Sequence, residues 1–318
     1  MTWGTWITRT KPGDDKEGNT KEKENQQNNT DNSEYQSMWM ELAGVPFSQG
    51  WLMAGDVNTR YIHTGNESMP NLIMLHGFIG HAEAFISNLA PHGEYFNTYA
   101  IDMLGAGYTD KPDYAYHIPR VAKHVCDFMD AAGMEKASIM GTSYSSRAAA
   151  RFAVNYPDRL EKLALISPAV LRFFPEISAR LVKGHDAIDD PSWEGTKKVV
   201  NSLFGGRRVT DDMIACRQRI FQQSEMKEAK KHLAVVHLPD TGEMSLISAD
   251  EFRSIKAPAL LLKGVLDRQN ANIDAVKEIA DLIPNSQLVI MEGCDHGPYF
   301  ENPDTFNKIH LDFLLDRN

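Results

Sequence analysis

The sequence predicts an α/β protein: a mostly parallel sheet with helices on both faces and a helical segment inserted into it. Short apolar runs, typical of buried strands, alternate with stretches of helical spacing from about residue 38 onward. Between residues 168 and 250 that alternation stops while the helical patterning continues. The interval is too long for a loop within a compact domain, so we expect an inserted helical cap there.

The strands are predicted from short apolar or alternating runs. The stretch Gly50–Gly65 predicts two strands around a turn at Gly55-Asp56. The remaining runs are apolar throughout, as is typical of strands that a parallel sheet buries on both faces. They lie at Asn71–Leu75, within Tyr95–Met103, and at Lys136–Met140, Leu160–Ile166, Pro258–Lys263 and Gln287–Met291.

Helices are predicted where apolar residues recur every three or four positions. His117–Ala132 has this spacing, with its apolar residues on one face. Ser145–Tyr156 is rich in alanine and stops before a proline, which cannot continue a helix. Thr305–Leu315 is amphipathic and closes the chain. Together with the strands, these segments give the alternation on which the fold class rests.

The chain is expected to divide into a tail, a core and a cap. From Lys11 to Ser37 nearly all residues are polar, so this stretch cannot bury enough surface to offset its ordering entropy. Within the cap, Gly205-Gly206 marks a turn and Thr210 is a suitable N-cap for the next helix. We expect a disordered tail at 1–37, an α/β core at 38–167 and 251–318, and a helical cap at 168–250.

Composition excludes several classes of protein. The 318 residues include 33 Lys+Arg and 43 Asp+Glu, a net charge of −10, and 42% are hydrophobic. This is an ordinary globular mixture without the broad cationic field that binds nucleic acid or anionic lipid. No apolar run is long enough to cross a bilayer, and the N-terminus lacks the basic-then-apolar order of a signal peptide. We expect a small-molecule substrate as partner, and neither nucleic acid nor membrane.

Cysteines and histidines give no sign of a metal site. Cys126, Cys216 and Cys294 have no paired spacing, which argues against a disulfide framework or a zinc ribbon and fits a cytoplasmic protein. His232 and His237 are five positions apart and fall on different helix faces. Neither a Walker phosphate loop nor a dinucleotide glycine fingerprint occurs. We therefore expect no metal and no cofactor.

The strongest chemical motif is Gly141-Thr142-Ser143-Tyr144-Ser145, between a predicted strand and a predicted helix. That context suits a nucleophile elbow, in which a sharp turn lifts the serine above the sheet. The last position, usually glycine, is Ser145, which is still small. The helix N-terminus that follows favours negative charge developing at Ser143. The competing interpretation is a strand-to-helix turn of small residues without chemistry.

An acid and a base follow two later strands. Asp267 comes shortly after the strand at 258–263, and His296 lies in the loop after the last strand. With Ser143 they have the chain order Ser, Asp, His that is known for catalytic triads on sheets of this type. Because a neutral serine is a poor nucleophile, we expect His296 to act as its base and Asp267 to orient that base. Asp295 is the rival acid, since it is adjacent to the histidine.

An oxyanion hole is expected beside the serine. His76-Gly77 directly follows the buried strand at 71–75, and a backbone N–H just past it could face an oxyanion. The alternative is a tight turn that simply needs glycine. We expect the backbone N–H groups of Phe78 and Tyr144 to form the oxyanion hole.

With these motifs, the chain from about residue 46 to its end resembles the α/β-hydrolase superfamily, most closely the meta-cleavage product hydrolases. The resemblance implies an α/β-hydrolase fold with a helical cap, and hydrolysis of a carbon–carbon bond in ring-fission products of aromatic degradation. It leaves both a monomer and a homo-oligomer open. Besides the motifs above, the resemblance rests on Asp102–Pro112, Phe128–Ala137, Pro191–Glu194, Val209–Arg217 and Asn302–Asn307.

The resemblance also implies residues that bind substrate. Arg217 matches a cap arginine that faces the pocket in this family and binds the dienoate substrate. A guanidinium group suits a carboxylate or enolate through a forked pair of hydrogen bonds. The alternative for Arg217 is a solvated position on the helix surface. We expect Arg217, Thr142 and Gly77 to contact the substrate.

Three departures from the family pattern bear on the substrate. Thr142 stands where asparagine is common, Gly297 where tryptophan is common, and Phe78-Ile79 in a loop that is usually rich in glycine. They leave the triad intact and reshape the pocket around it. The leading hypothesis is a serine hydrolase acting on a 2-hydroxy-6-oxo-dienoate. The alternatives are a carboxylesterase or lactonase for small hydrophobic esters, and a non-catalytic small-molecule receptor on the same fold.

Overall fold

The computed structural model describes residues 37–169, 186–206, 208–235, 246–267 and 272–317. Its strands are β1 (Phe47–Ala54), β2 (Val57–Thr64), β3 (Asn71–Leu75), β4 (Asn97–Ile101), β5 (Ala137–Thr142), β6 (Leu160–Ile166), β7 (Ala259–Gly264) and β8 (Ser286–Met291). They form one sheet in the order β1-β2-β4-β3-β5-β6-β7-β8. The β1–β2 and β2–β4 pairs are antiparallel, and the remaining pairs are parallel. The predicted α/β class with a mostly parallel sheet is confirmed.

Helices lie before, between and after these strands. They are α1 (Ile86–Gly93), α2 (Ile118–Ala131), α3 (Tyr144–Asn155), α4 (Asp186–Asp189), α5 (Trp193–Leu203), α6 (Asp211–Phe221), α7 (Met226–Ala234), α8 (Ala249–Ser254), α9 (Ile273–Leu282), α10 (Pro298–Glu301) and α11 (Pro303–Leu314). Short 3-10 helices occur at Met38–Leu42, Ala82–Phe85 and Pro157–Arg159. Helices α4 to α7, which lie between β6 and β7 in sequence, are called the insertion below.

The sheet separates two apolar clusters. Successive residues of β3 point to opposite faces, so Ile73 and Leu75 join one cluster while Leu72 and Met74 join the other. The first cluster contains buried residues of α2, α3 and α9, and the second contains those of α1 and α11. These four side chains of β3 are fully buried. The sheet is thus covered on both faces, which explains why its central strands are apolar throughout.

Most predicted elements occupy the expected residues. Strands β3 and β6 have the predicted bounds, and each of the other predicted strands overlaps an observed one. Helix α3 begins at Tyr144 rather than Ser145, because Ser143 itself occupies the N-cap position. Helices α1, α8, α9 and α10 were not predicted. Helix α1 carries Pro91 inside it, and the N-cap of α9, Asn272, accepts the backbone N–H of Ala275.

The insertion contains the predicted turn and cap. Gly205 and Gly206 have φ values of 58° and 71°, which glycine adopts without steric cost. The side chain of Thr210 accepts the N–H of Met213, so Thr210 is the N-cap of α6, as expected. The predicted tail lies outside the described residues except for Ser37, whose side chain caps the 3-10 helix that follows. The limits of tail and cap stay predictions.

Across the parts of the chain that the structure describes, no helix combines the length and apolar character needed to span a membrane.

Candidate active site

The serine of the predicted elbow lies at the sharp turn between β5 and α3. Ser143 has φ 54° and ψ −117°, a backbone conformation that residues with a side chain rarely adopt. Its N–H donates to the carbonyl oxygen of Ile166 at 2.8 Å, which ties the turn to β6. A β-carbon on Gly141 would lie 2.5 Å from the carbonyl oxygen of Ser145, so the turn can close only on a glycine there. The motif therefore has the geometry of a strained strand-to-helix elbow.

The unusual last residue of the motif has a structural role. The Oγ atom of Ser145 accepts the N–H of Thr142 at 2.8 Å and lies 2.7 Å from the carbonyl oxygen of Leu75, to which it donates. Ser145 is fully buried. A glycine could make neither bond. The hydroxyl thus links the elbow to the end of β3, where the predicted oxyanion turn begins.

The turn after β3 lies directly against the elbow. The N–H of Gly80 donates to the carbonyl oxygen of Gly77 at 3.0 Å, and a β-carbon on Gly77 would lie 3.6 Å from that of Ser143. The ring of Phe78 packs edge-on against that of Tyr144, with centroids 5.5 Å apart. The structure therefore brings the two predicted oxyanion residues into contact beside the elbow.

A buried histidine holds this turn in place. The Nε2 atom of His76 accepts the N–H of Met103 at 3.0 Å, and Nδ1 lies 2.7 Å from the carbonyl oxygen of Gly77. Burial lowers the pKa of His76 to about 3, so the ring is neutral. A neutral ring with Nε2 accepting carries its proton on Nδ1 and donates it to Gly77. His76 is therefore a structural residue that shapes the turn.

The predicted acid and base lie in direct contact at the ends of β7 and β8. The Nδ1 atom of His296 lies 3.2 Å from Oδ1 of Asp267, and the two residues are 7% and 6% exposed. Gly264 makes this approach possible. A β-carbon there would lie 2.1 Å from the carbonyl oxygen of Asp295 and 2.4 Å from that of Cys294. The loop after β8 thus crosses directly over the end of β7.

A lysine on β7 holds the second oxygen of the acid. Lys263 is 1% exposed, and its Nζ donates to Oδ2 of Asp267 at 2.6 Å. Burial by itself favours the neutral carboxyl, but the contact with His296 and the charge of Lys263 outweigh it. Together they hold the pKa of Asp267 well below its usual range. Asp267 is therefore a carboxylate held between Lys263 and His296, and the role of Lys263 was not foreseen from the sequence.

The rival acid is engaged differently. Asp295 is partly exposed, and its backbone N–H donates to Oε2 of Glu301 at 2.7 Å. The other oxygen of Glu301 accepts the N–H of Gly297 at 2.8 Å. The side chain of Glu301 thus binds the backbone of the loop on both sides of His296. The carboxylate that contacts the His296 ring is that of Asp267.

The predicted cap arginine is buried. Arg217 on α6 is 3% exposed, burial lowers its pKa, and its Nη1 has no hydrogen-bond partner among the described residues. The interpretation as a solvated surface arginine is therefore wrong. Burial raises the pKa of Tyr299 to about 12, against the opposing effects of the Arg217 charge and a hydrogen bond with Thr142. Tyr299, not foreseen from the sequence, is thus influenced by both Arg217 and the elbow residue Thr142.

The glycine after the histidine faces a side chain of the insertion. A β-carbon on Gly297 would lie 2.7 Å from the ring of Phe204, which is 3% exposed and packs on Phe300 at a centroid distance of 4.3 Å. The space that a larger residue at 297 would need is therefore occupied by Phe204. The sequence gives no local signal for this contact, because the two residues belong to separate elements.

One further group has the composition of a metal site. The side chains of His81, Glu83 and Cys216 lie within 4.8 Å of one another, measured between potential ligand atoms. Both oxygens of Glu83 already accept from Arg60, at 2.5 and 3.0 Å, and one also contacts His81 at 2.8 Å. Burial raises the pKa of the Cys216 thiol, so it is protonated. The arrangement fits a buried ion cluster better than a set of metal ligands.

Comparisons with known proteins agree with this architecture. Residues 70–303 match the family model of the α/β hydrolase fold. Carboxylesterase YbfK from Bacillus subtilis is 24% identical over 80% of this chain and 84% of its own. A 2-hydroxy-6-oxo-6-(2'-aminophenyl)hexa-2,4-dienoic acid hydrolase from Metapseudomonas resinovorans is 28% identical over 85% and 92%. The solved 2-hydroxy-6-oxo-6-phenylhexa-2,4-dienoate hydrolase from Rhodococcus sp. strain RHA1 superimposes with a TM-score of 0.73, at 20% identity over 85% and 99%.

The fold and the elbow define an α/β hydrolase, and the chain belongs to the α/β hydrolase fold family. The predicted resemblance is confirmed at this level, and relatives named as meta-cleavage product hydrolases are among the proteins it is similar to. The relatives are hydrolases for both carbon–carbon and ester bonds. The names of these relatives support an enzymatic function for this chain.

Proposed function

We propose that the protein is a serine hydrolase that cuts a carbon–carbon bond in a 2-hydroxy-6-oxo-dienoate or a similar vinylogous diketone. The proposed catalytic residues are Ser143, His296 and Asp267. Support comes from the elbow conformation of Ser143, the contact between His296 and Asp267, and the relatives named as dienoate hydrolases. Carbon–carbon hydrolysis at a ketone and ester hydrolysis both pass through attack on a carbonyl, which this set of residues suits.

In the proposed reaction, His296 takes the proton of Ser143 as the serine oxygen attacks the substrate carbonyl. Asp267 orients the imidazole and stabilises its charged form. The N–H groups of Phe78 and Tyr144 stabilise the oxyanion. His296 then gives its proton to the leaving carbon, which departs as the dienoate. Water, activated by the same imidazole, hydrolyses the acyl-enzyme to release the acid.

The observation that carries the substrate class is Arg217. Among the described residues, the buried guanidinium of Arg217 has no partner for Nη1, which is costly, and an anionic ligand would offset that cost. A dienoate carboxylate or its neighbouring enolate suits the forked geometry of arginine. Arg217 and Thr142 both influence the phenol of Tyr299, and Thr142 directly precedes the serine. A substrate held by Arg217 would therefore present its acyl end towards Ser143, beside Gly77.

A paired assay tests the substrate class. Decay of a coloured ring-fission product and hydrolysis of a p-nitrophenyl ester are measured for the wild type, Arg217→Ala and Arg219→Ala. Arg219 is an exposed arginine on the same helix and serves as the matched control. We expect Arg217→Ala to lower kcat/KM for the ring-fission product about 10- to 100-fold, the effect of losing charged hydrogen bonds. The ester and Arg219→Ala should change little.

The second candidate is a carboxylesterase for small hydrophobic esters. It is favoured by the carboxylesterase relative and by the departure at Gly297, where Phe204 fills the adjacent space. The same triad would serve both reactions. If only esters turn over and Arg217→Ala has no effect, the carboxylesterase interpretation replaces the carbon–carbon one.

A fluorophosphonate probe separates an enzyme from a receptor on the same fold. The wild type should be labelled at Ser143, and Ser143→Ala should lose the label, because only an activated serine reacts readily. Ser48→Ala, on an exposed strand residue, is the control and should label like the wild type. A folded wild-type protein that resists labelling is a receptor rather than a hydrolase.

A further inference from the structure

The buried lysine on β7 has no part in the reaction described above. The Nζ atom of Lys263 lies 2.6 Å from Oδ2 of Asp267, and both side chains are essentially inaccessible to solvent. The opposite oxygen of the same carboxylate faces Nδ1 of His296 at 3.2 Å. The three groups thus form a row in which the carboxylate is shared by the ammonium of Lys263 and by the proposed base.

Burying such a row is expensive, and stability alone does not account for it. Removing two charges from water costs several kcal/mol for each ion, and an apolar pair of similar volume is often as stable. Among the described residues, no other group hydrogen-bonds to the ammonium of Lys263. Its one hydrogen-bond partner among these residues is Asp267, which is proposed to orient the catalytic base. The charge of Lys263 therefore acts mainly on Asp267.

We propose that Lys263 is a positioning residue that fixes the Asp267 carboxylate for His296 and opposes protonation of that histidine. This inference rests on the proposed function. Held at Oδ2 by Lys263, the carboxylate presents Oδ1 to Nδ1 of His296. The lysine charge on the far side of the carboxylate weakens its attraction for an imidazolium. The base is therefore kept neutral, and able to take a proton from Ser143, to a lower pH than an unaccompanied aspartate would allow.

Other ionisable groups lie on the elements near the base. The loop after β8 supplies Asp295. Helix α10 supplies Glu301, which accepts the backbone N–H groups of Asp295 and Gly297, and the phenol of Tyr299. Helix α6 supplies Arg217, whose charge acts on Tyr299. The two acids favour an imidazolium and the arginine disfavours it. Lys263 is the group that shares a carboxylate with the base, so its removal should have the largest effect.

The test measures the rate of inactivation by a fluorophosphonate across about pH 5 to 9. This rate depends on the neutral base and needs no knowledge of the natural substrate. In Lys263→Met the acid limb of the profile should move to higher pH by about one unit, the usual effect of one nearby charge. Lys263→Arg keeps the charge, so its acid limb should stay near that of the wild type even if its plateau falls.

A second buried lysine provides the matched control. Lys162 on β6 is 8% exposed and pairs with Asp316 at 2.6 Å, at the other end of the sheet. Lys162→Met should lower the melting temperature without moving the acid limb. If Lys263→Met does not fold, Lys263→Gln replaces it, with the same expected shift. An unmoved limb in the neutral variants, or an equal shift in Lys263→Arg, overturns the inference.

The outcomes separate this inference from the proposed function. If Ser143→Ala is labelled as fast as the wild type, the serine mechanism itself is wrong and the limb has no bearing on it. If labelling is lost in Ser143→Ala but the acid limb stays at the same pH in the neutral Lys263 variants, the serine mechanism is retained. Only the proposed role of Lys263 is then wrong.

Discussion

The hydroxyl of Ser145 bonds to the carbonyl oxygen of Leu75 at 2.7 Å and so joins the nucleophile elbow to the end of β3. It also accepts the N–H of Thr142, so the ends of β3 and β5 converge on one buried side chain. The family's usual glycine has no such link. Here the relative position of Ser143 and the Gly77 turn depends on Ser145.

The first prediction concerns this link. Ser145→Ala leaves the buried N–H of Thr142 without its partner, which should lower the free energy of unfolding by about 1–3 kcal/mol. The rate of fluorophosphonate labelling should fall as well, since the elbow and the oxyanion turn lose their connection. Urea denaturation and labelling kinetics check both effects. Ser48→Ala is the exposed control, and equal stability of the two variants would contradict the structural role.

The second prediction separates the two candidate acids. Asp267→Asn should lower kcat about 10³- to 10⁴-fold, because an amide neither enforces the correct tautomer of His296 nor stabilises its charged form. Asp295→Asn should change kcat less than about threefold, since the carboxylate that contacts His296 is that of Asp267. Steady-state hydrolysis of a p-nitrophenyl ester at pH 7 gives both values. A larger loss in Asp295→Asn would reverse the assignment.

The third prediction concerns the glycine after the histidine. Gly297 has φ −115°, which any residue adopts, so a substitution there is limited by space alone. Gly297→Ala should place its methyl group against the Phe204 ring and lower the free energy of unfolding by about 1–3 kcal/mol. In the Phe204→Leu background the same change should cost clearly less, which a double-mutant cycle measures. Equal costs in both backgrounds would show that the contact is not the cause.

The fourth prediction concerns the N-terminal residues. Removing residues 1–36 should leave both melting temperature and labelling rate nearly unchanged, because their polar composition offers little to pack. Removing residues 1–42 should lower the melting temperature, since Met38 and Leu42 are buried and the N–H of Met38 donates to Asp212 on α6. Thermal unfolding of the two truncated chains tests this. A large effect of the shorter deletion would mean that the tail packs on the protein.

The parts of the site that were predictable are those with local signals. The elbow was recognisable because strand, small residues and helix follow one another within the Gly141–Ser145 motif, and Asp267 and His296 because each follows a strand. These signals depend on short-range steric rules that a sequence displays directly. The strand order and the pairing of acid with base were consistent with them, and the structure adds the distances.

The parts that were missed arise from long-range packing. In the sequence, Lys263 resembles any other strand residue, and its contact with Asp267 arises only when β7 and the following turn fold. Phe204 likewise resembles any residue at the end of a helix, and its contact with Gly297 arises only when the insertion packs on that loop. Tyr299 carries no motif of its own. Each role depends on which side chains meet across separate elements, and hydrophobic periodicity carries no information about such meetings.

The contact between Phe204 and Gly297 has a consequence for engineering this chain. Two positions that belong to different elements share one volume, so their effects on stability will not add. A library that varies residue 297 alone will mostly return unstable proteins, and one that varies residue 204 alone will mostly return loosely packed ones. Varying both together, with their combined volume held constant, opens combinations that stepwise selection cannot reach. Changes in substrate range should therefore be sought first among such paired replacements.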